Sequence, residues 1–278
     1  MLKRILSIIT NVIEKIKLKT NNQNVMEPTV IQEILEQFPD VMIHLDGGHA
    51  KSTLGKRSPW SANKIQPELD FYEYEWNRIM VSLIKEELEK YGINIHVVTP
   101  EIDEDIPLKT RYTRANNMKT KHPELKHLFI SVHSNAHGDG SKWTSAQGWS
   151  CYTTKGQNTS DKLAECLYDA AEEILPQLNK KIRTDCSDGD RDWEENFTVI
   201  KGTTMPSVLT ENMFYTNIED TKFLLSEEGQ RAIRDIHVNG ILKYIKKYLN
   251  AKPSPPAAPQ PGYCGSISLS KISFTISQ

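Results

Sequence analysis

The sequence predicts an α/β fold, a mainly parallel twisted sheet flanked by helices on both faces. Three observations point there. Apolar strand-like runs alternate with helical periods between about Val41 and Leu249, the pattern from which parallel sheets are built. The stretch from Val41 to Val98 completes one strand, helix, strand unit. Three polar residues, His49, His133 and Glu211, each close an apolar run, which would set them at the carboxyl edge of the sheet, where open α/β folds collect their chemistry.

Composition bounds the rest. With 278 residues, 38% of them hydrophobic and 25% charged, the chain suits one globular domain with flanking segments. A net charge of −2 offers no basic stripe to neutralise phosphates, which argues against a nucleic-acid partner. Cys151, Cys166, Cys186 and Cys264 form no CxxC pair, so neither a cysteine zinc site nor a dense disulfide framework is expected. Cys166 reads as core.

Residues 1–40 are expected to be a helical segment and linker. Lys3 and Arg4 precede an apolar stretch as in a signal peptide, but Asn11 and Glu14 interrupt it and no small-residue cleavage site follows. Apolar positions 2, 5, 9, 12, 13 and 16 share one helical face. Such a helix is too short to span a bilayer, though its lysines suit peripheral contact with an anionic membrane surface. A polar linker at 20–24 and a short helix around 29–37 follow.

The main domain is expected over residues 41–250. Its first strand starts at Val41 and leads to Gly47, Gly48 and His49. Trp76, Met80, Leu83, Ile84, Leu88 and Tyr91 recur at helical spacing, Gly92 supplies the stop, and Ile93–Val98 reads as a strand. Leu108–Thr120 reads as a helix, and Leu128–His133 as the next strand. From Ala136 to Asn196 the pattern is loose apart from one helix, whose face carries Leu163, Cys166, Leu167, Ala170, Ala171, Ile174 and Leu175. Loops of that kind usually shape a site. Phe197–Ile200 and Ser207–Thr210 read as short strands. Ser226 caps a final helix, with Glu227 and Glu228 in its first turn, that runs to about Leu249. Residues 251–278 form a stiff Pro-rich linker and a short tail. There is no internal repeat.

Two histidines at strand ends suit a metal, because catalytic zinc takes three protein ligands from His, Asp or Glu and leaves one position open. The acid expected to join His49 and His133 is Glu73, at the start of a helix and so at the rim of the strand ends; Glu75 is its rival. A carboxylate at a helix start is also a plain partner of the helix dipole. His137 is the substitute histidine ligand. His44 and His96 read as packed strand residues, and His122, His127 and His237 as structural. Glu211 is the candidate general base for metal-assisted amide hydrolysis. The acidic run Asp185–Asp192 reads as a solvated turn, because its glycine and acids are misplaced for a contiguous calcium loop.

Taken together, four segments resemble the type 3 class of zinc-dependent N-acetylmuramoyl-L-alanine amidases, cell-wall hydrolases of bacteria and phages. Leu45-Asp46-Gly47-Gly48-His49 resembles the first ligand loop, and Glu73 with Asn77 the acidic ligand and the asparagine after it. Ser131–Ala136 resembles the third ligand strand, and Pro206–Asn212 with Asn217–Asp220 the segment of the catalytic glutamate. The order and spacing agree over roughly residues 41–250. The sequence departs from the family in having Gly47 where proline is common, and in the extra material at 136–196 and at Gly55–Pro59.

The resemblance implies one Zn2+ held by His49, Glu73 and His133, with Glu211 as the catalytic residue. It implies peptidoglycan as the substrate and hydrolysis of the amide between N-acetylmuramic acid and L-alanine. The expected place of action is the bacterial wall, in the periplasm or outside the cell; without a clear cleavable signal, release of the phage type is one route to it. The alternatives are a zinc peptidase cutting within the stem peptide and a non-catalytic peptidoglycan-binding protein.

Overall fold

The structure, a computed structural model, describes residues 40–59 and 69–249. The expected N-terminal helix, the 29–37 helix and the Pro-rich tail lie outside the described residues. Six strands form one sheet in the order β2-β1-β3-β6-β4-β5. They are β1 (Val41–Gly47), β2 (Asn94–Val97), β3 (Lys126–Asn135), β4 (Ser150–Thr153), β5 (Trp193–Glu194) and β6 (Ser207–Phe214). The strands β2, β1, β3 and β6 are parallel, β4 runs antiparallel to β6, and β5 is parallel to β4. The sheet is therefore mixed, with a parallel majority.

Both faces are covered, so every residue of β1 is buried. On one face, Val41, Ile43 and Leu45 of β1 and Leu128, Ile130 and Val132 of β3 join the main core. That core is roofed by α1 (Glu73–Glu89), α3 (Thr159–Ile174) and α6 (Glu227–Tyr244). On the other face Phe129 and Leu209 meet Ala115 of α2 (Leu108–Lys121) and Val199 and Ile200 of α4 (Thr198–Lys201). The period-2 alternation of Leu128 to Val132 thus feeds two separate cores. Cys166 is buried in the first of them, as its helical phase predicts.

Helix ends follow local chemistry. The Ser226 hydroxyl accepts from the Gly229 amide at 3.0 Å and caps α6, which widens into a π turn at Ile245–Leu249. Gly92, after α1, has φ +74°, a left-handed stop that costs a glycine little.

Three expectations need correction. Phe197–Ile200 is no strand: residues 198–201 form α4, with the Lys201 and Ile200 amides donating to the Phe197 carbonyl. Four apolar residues are too few for periodicity to separate the two states. The strands do not stop at His133 and Glu211 but continue to Asn135 and Phe214. The 136–196 stretch contains β4 and β5, which are too short and too polar to stand out, and α5 (Ile218–Leu225), capped by Asn217, was not foreseen.

Two buried histidine arrangements tie the sheet together. The His127 Nε2 faces the His122 carbonyl at 2.8 Å, so it must carry a proton; His127 Nδ1 then accepts from His44 Nε2, and His44 Nδ1 from His96 Nδ1. On α6, His237 Nδ1 donates to the Ile233 carbonyl, leaving Nε2 to accept from Thr210. Burial pushes His44 down to about 3, helped by His96 and His127, and His237 down to about 4. Each folded value lies below the unfolded 6.5, so their stability contribution is intact above pH 6.5 and is lost as pH falls toward 4. Acidification from pH 7.5 to 5 is expected to cost roughly 3–4 kcal/mol from these two groups. Urea titrations at both pH values test this, with His237→Gln reducing the loss; equal midpoints at both pH values would refute it.

Candidate metal centre

The first histidine is delivered by a backbone that only particular residues allow. After β1 the Gly48 amide donates to the Val132 carbonyl at 3.0 Å, and a Cβ on Gly48 would lie 2.0–2.5 Å from the His133 ring atoms. His49 then takes φ +59°, a left-handed conformation that costs a non-glycine residue about 1 kcal/mol or more. Arg78 holds this turn, donating to the carbonyls of Gly47 at 2.6 Å and His49 at 2.7 Å, while Asn77 donates to that of Gly48. Beneath it, buried Asp46 accepts from Ser131, Thr99 and Arg111, an ion pair whose remaining valences are filled.

Glu73 opens α1, its amide donating to the Lys56 carbonyl. Its Oε1 accepts from the Ser134 amide at 3.2 Å and lies 3.1 Å from His133 Nδ1. Its Oε2 lies 3.5 Å from His49 Nε2 and, though buried, has no hydrogen-bond partner. The two imidazoles stand edge to face, 5.1 Å apart. His133 is fixed through its carbonyl, which accepts from Asn212 at 2.8 Å. Glu211 is the register partner of His133, so both side chains leave the same face of the sheet.

One donor atom from each of His49, Glu73 and His133 lies within 4.8 Å of the others, the only such metal-ligating set among the described residues. Zinc with ligands at 2.0–2.2 Å in a tetrahedron needs donors about 3.3–3.6 Å apart. The Glu73 carboxylate lies between the two rings, Oε1 3.1 Å from His133 Nδ1 and Oε2 3.5 Å from His49 Nε2, separations of that order. A cation held between the two imidazoles would satisfy the unpartnered Oε2 of Glu73.

The electrostatics agree. Burial alone would raise the Glu73 carboxyl, but the hydrogen bond from His133 and the nearby imidazoles hold it below the usual range. Burial works to lower His133, and its bond to Glu73 raises it instead. Burial drives His49 down to about 4, the neutral form that can ligate. Burial also pushes the Glu211 carboxyl up to about 7, with Glu73 adding to the rise against the pull of His133. One Glu211 oxygen, Oε2, is buried without a partner.

These groups open into a cleft of about 320 Å³, walled by Leu54, Lys56, Asn135, Gly138, Gly140 and Tyr215 as well as the four polar residues. Of the sequence candidates, Glu75 is solvent-exposed and His137 is outside both the donor set and the cleft lining. Sequence reasoning missed Arg78 and the Asp46–Arg111 pair. Their only trace is a cation within each helical period, which reads equally well as a solvated face.

The family model described as N-acetylmuramoyl-L-alanine amidase matches residues 43–243. The chain is 30% identical over 203 residues to the uncharacterized protein YqiI of Bacillus subtilis, covering 73% of this chain and 84% of that one. It is 26% identical over 208 residues to an endolysin of Bacillus phage SPP1, 73% of this chain and 66% of the phage protein. Among solved structures it superposes on an N-acetylmuramoyl-L-alanine amidase from Clostridium difficile 630 with a TM-score of 0.61 at 23% identity, over 75% of this chain and 98% of that one.

Proposed function

Because the chain belongs to the N-acetylmuramoyl-L-alanine amidase family, we propose that residues 41–250 form a zinc-dependent hydrolase of the amide linking N-acetylmuramic acid to L-alanine in peptidoglycan. The observation that carries the metal is the buried, unpartnered Oε2 of Glu73 between two imidazoles. His49, Glu73 and His133 would hold the ion. Zinc, when bound there, supplies Lewis-acid activation of the scissile carbonyl and of water.

The remaining chemistry belongs to the protein. Glu211 accepts the proton of the attacking water and returns it to the leaving nitrogen of L-alanine. Burial disfavours the charged form of Glu211, which helps it hold the proton between the two transfers. Arg78 and Asn212 fix the His49 and His133 segments, so the donors need not reorganise. Lys56 faces the cleft and adds positive charge toward Glu73 and Glu211, favourable for an anionic wall fragment.

Digestion of purified peptidoglycan tests the reading. Mass spectrometry is expected to find free glycan strands and stem peptides that begin with L-alanine. A chelator should stop their release, and added zinc should restore it. Cuts within the stem peptide would instead indicate a peptidase, and no release at all a binding protein.

A further inference from the structure

Arg183 lies on the far side of Glu211 from the metal donors. Its amide donates to the Trp149 carbonyl at 2.8 Å, and Ser150, next to Trp149, is the register partner of Glu211. Leu209, two residues before Glu211 on β6, pairs with Tyr152 of β4, and Tyr152 pairs with Trp193 of β5. Register partners share a face of the sheet, so Tyr152 and Trp193 stand on the Glu211 side. There the Arg183 guanidinium sits 5.0 Å from the ring centroid of Trp193 and 5.0 Å from that of Phe214, which follows Glu211 on β6. Two aromatic faces hold it in place.

Other arginines around the sheet are committed. Arg78 donates to backbone carbonyls, Arg111 pairs with Asp46 and Asp105, Arg114 with Glu101, and Arg191 with Glu165, Asp169 and Glu172. Arg183 is half-buried, yet among the described residues its guanidinium has neither an acid nor a carbonyl as partner. The acids that follow it are turned elsewhere: Asp185 accepts from the Ser187 amide at 3.1 Å, and buried Asp192 from the Thr153 hydroxyl at 2.5 Å. A guanidinium half withdrawn from water, fixed by rings and left without an acceptor is a preorganised fork for a carboxylate. Its charge also reaches the site, acting on Glu211 and on Tyr152.

The path of the proton sets the direction of the substrate. Glu211 returns its proton to the leaving nitrogen, so the departing peptide runs past β6, away from His49 and His133 and toward β4 and β5. Two strand spacings separate β5 from β6, about 10 Å, which about three extended residues span. We propose that Arg183, held between Trp193 and Phe214, binds a carboxylate on the second or third residue of the stem peptide and makes the site selective for acidic over amidated stems. This role rests on the hydrolase reading above and assigns the leaving half of the substrate to the β4–β5 side of the sheet.

The test compares kcat/KM of the full zinc-loaded chain at pH 7.5 on a soluble muropeptide with free stem carboxylates and on the same muropeptide with those carboxylates converted to carboxamides. The parent should prefer the free acid by roughly 10–100-fold, the range of a charge-assisted hydrogen bond. Arg183→Gln should bring that ratio to about one, chiefly by raising KM for the free acid, since the contact is made before and during the reaction alike. Arg183→Lys keeps the charge without the fork and should retain part of the ratio. The proposal is overturned if the parent cleaves both substrates equally well, or if Arg183→Gln lowers both rates together and leaves the ratio intact, as a side chain that only packs between two rings would. Turnover of neither substrate by the parent would defeat the hydrolase reading itself, and the anchor with it.

Discussion

Glu211→Gln is expected to lower turnover on muropeptides by about 10²–10⁴-fold, the usual weight of a positioned proton carrier, while zinc stays bound at one per chain. The substitution keeps the shape of the side chain and removes only its ability to take a proton. Because burial already disfavours the charged carboxylate, the amide should cost no stability, and the Tm should hold or rise. Glu211 makes no contact that positions His49 or Glu73, so the metal content of the purified variant, read by atomic absorption, should match the parent's. Turnover within tenfold of the parent would remove Glu211 from the reaction.

The second large effect is loss of the metal itself. His133→Ala takes away one of three donors and strips the Glu73 carboxylate of its only imidazole hydrogen bond. Loss of an outer-shell partner alone typically costs about 10–100-fold in metal affinity, so removal of a direct ligand should exceed that and leave the protein metal-free after dialysis. Hydrolysis should fall to background and should not return with stoichiometric zinc. The two variants therefore separate: one keeps the ion without turnover, the other loses both. If His133→Ala retained stoichiometric zinc, the ligand assignment would fail.

The legible parts of the fold were those with long periodic signals. The helix bearing Trp76, Met80 and Leu88 and the strand Leu128–His133 could be placed because their burial patterns repeat over several turns or pleats. The strand β4, with the sequence Ser-Cys-Tyr-Thr, could not, since its identity comes from pairing with β6 and not from its own residues. The candidate site was legible in its histidines and acids because those residue types at the ends of apolar runs are hard to explain by packing. What supports them was not: Arg78 acts through backbone carbonyls, and the partner of Asp46 lies on a helix 65 residues away. The acidic run misled because its exposed residues surround one that the fold buries. Sequence alone carries no sign of that difference.

The four polar groups of the cleft come from the turn after β1, the start of α1, β3 and β6, and they meet only when β6 has docked in parallel beside β3. Such non-local pairing is reached late, after the cost of closing long loops. The three donors His49, Glu73 and His133 precede Ser207 and only Glu211 follows it, so a chain truncated before Ser207 would keep the metal ligands and lack the proton carrier. The arrangement makes hydrolytic competence an all-or-none outcome of completing the sheet.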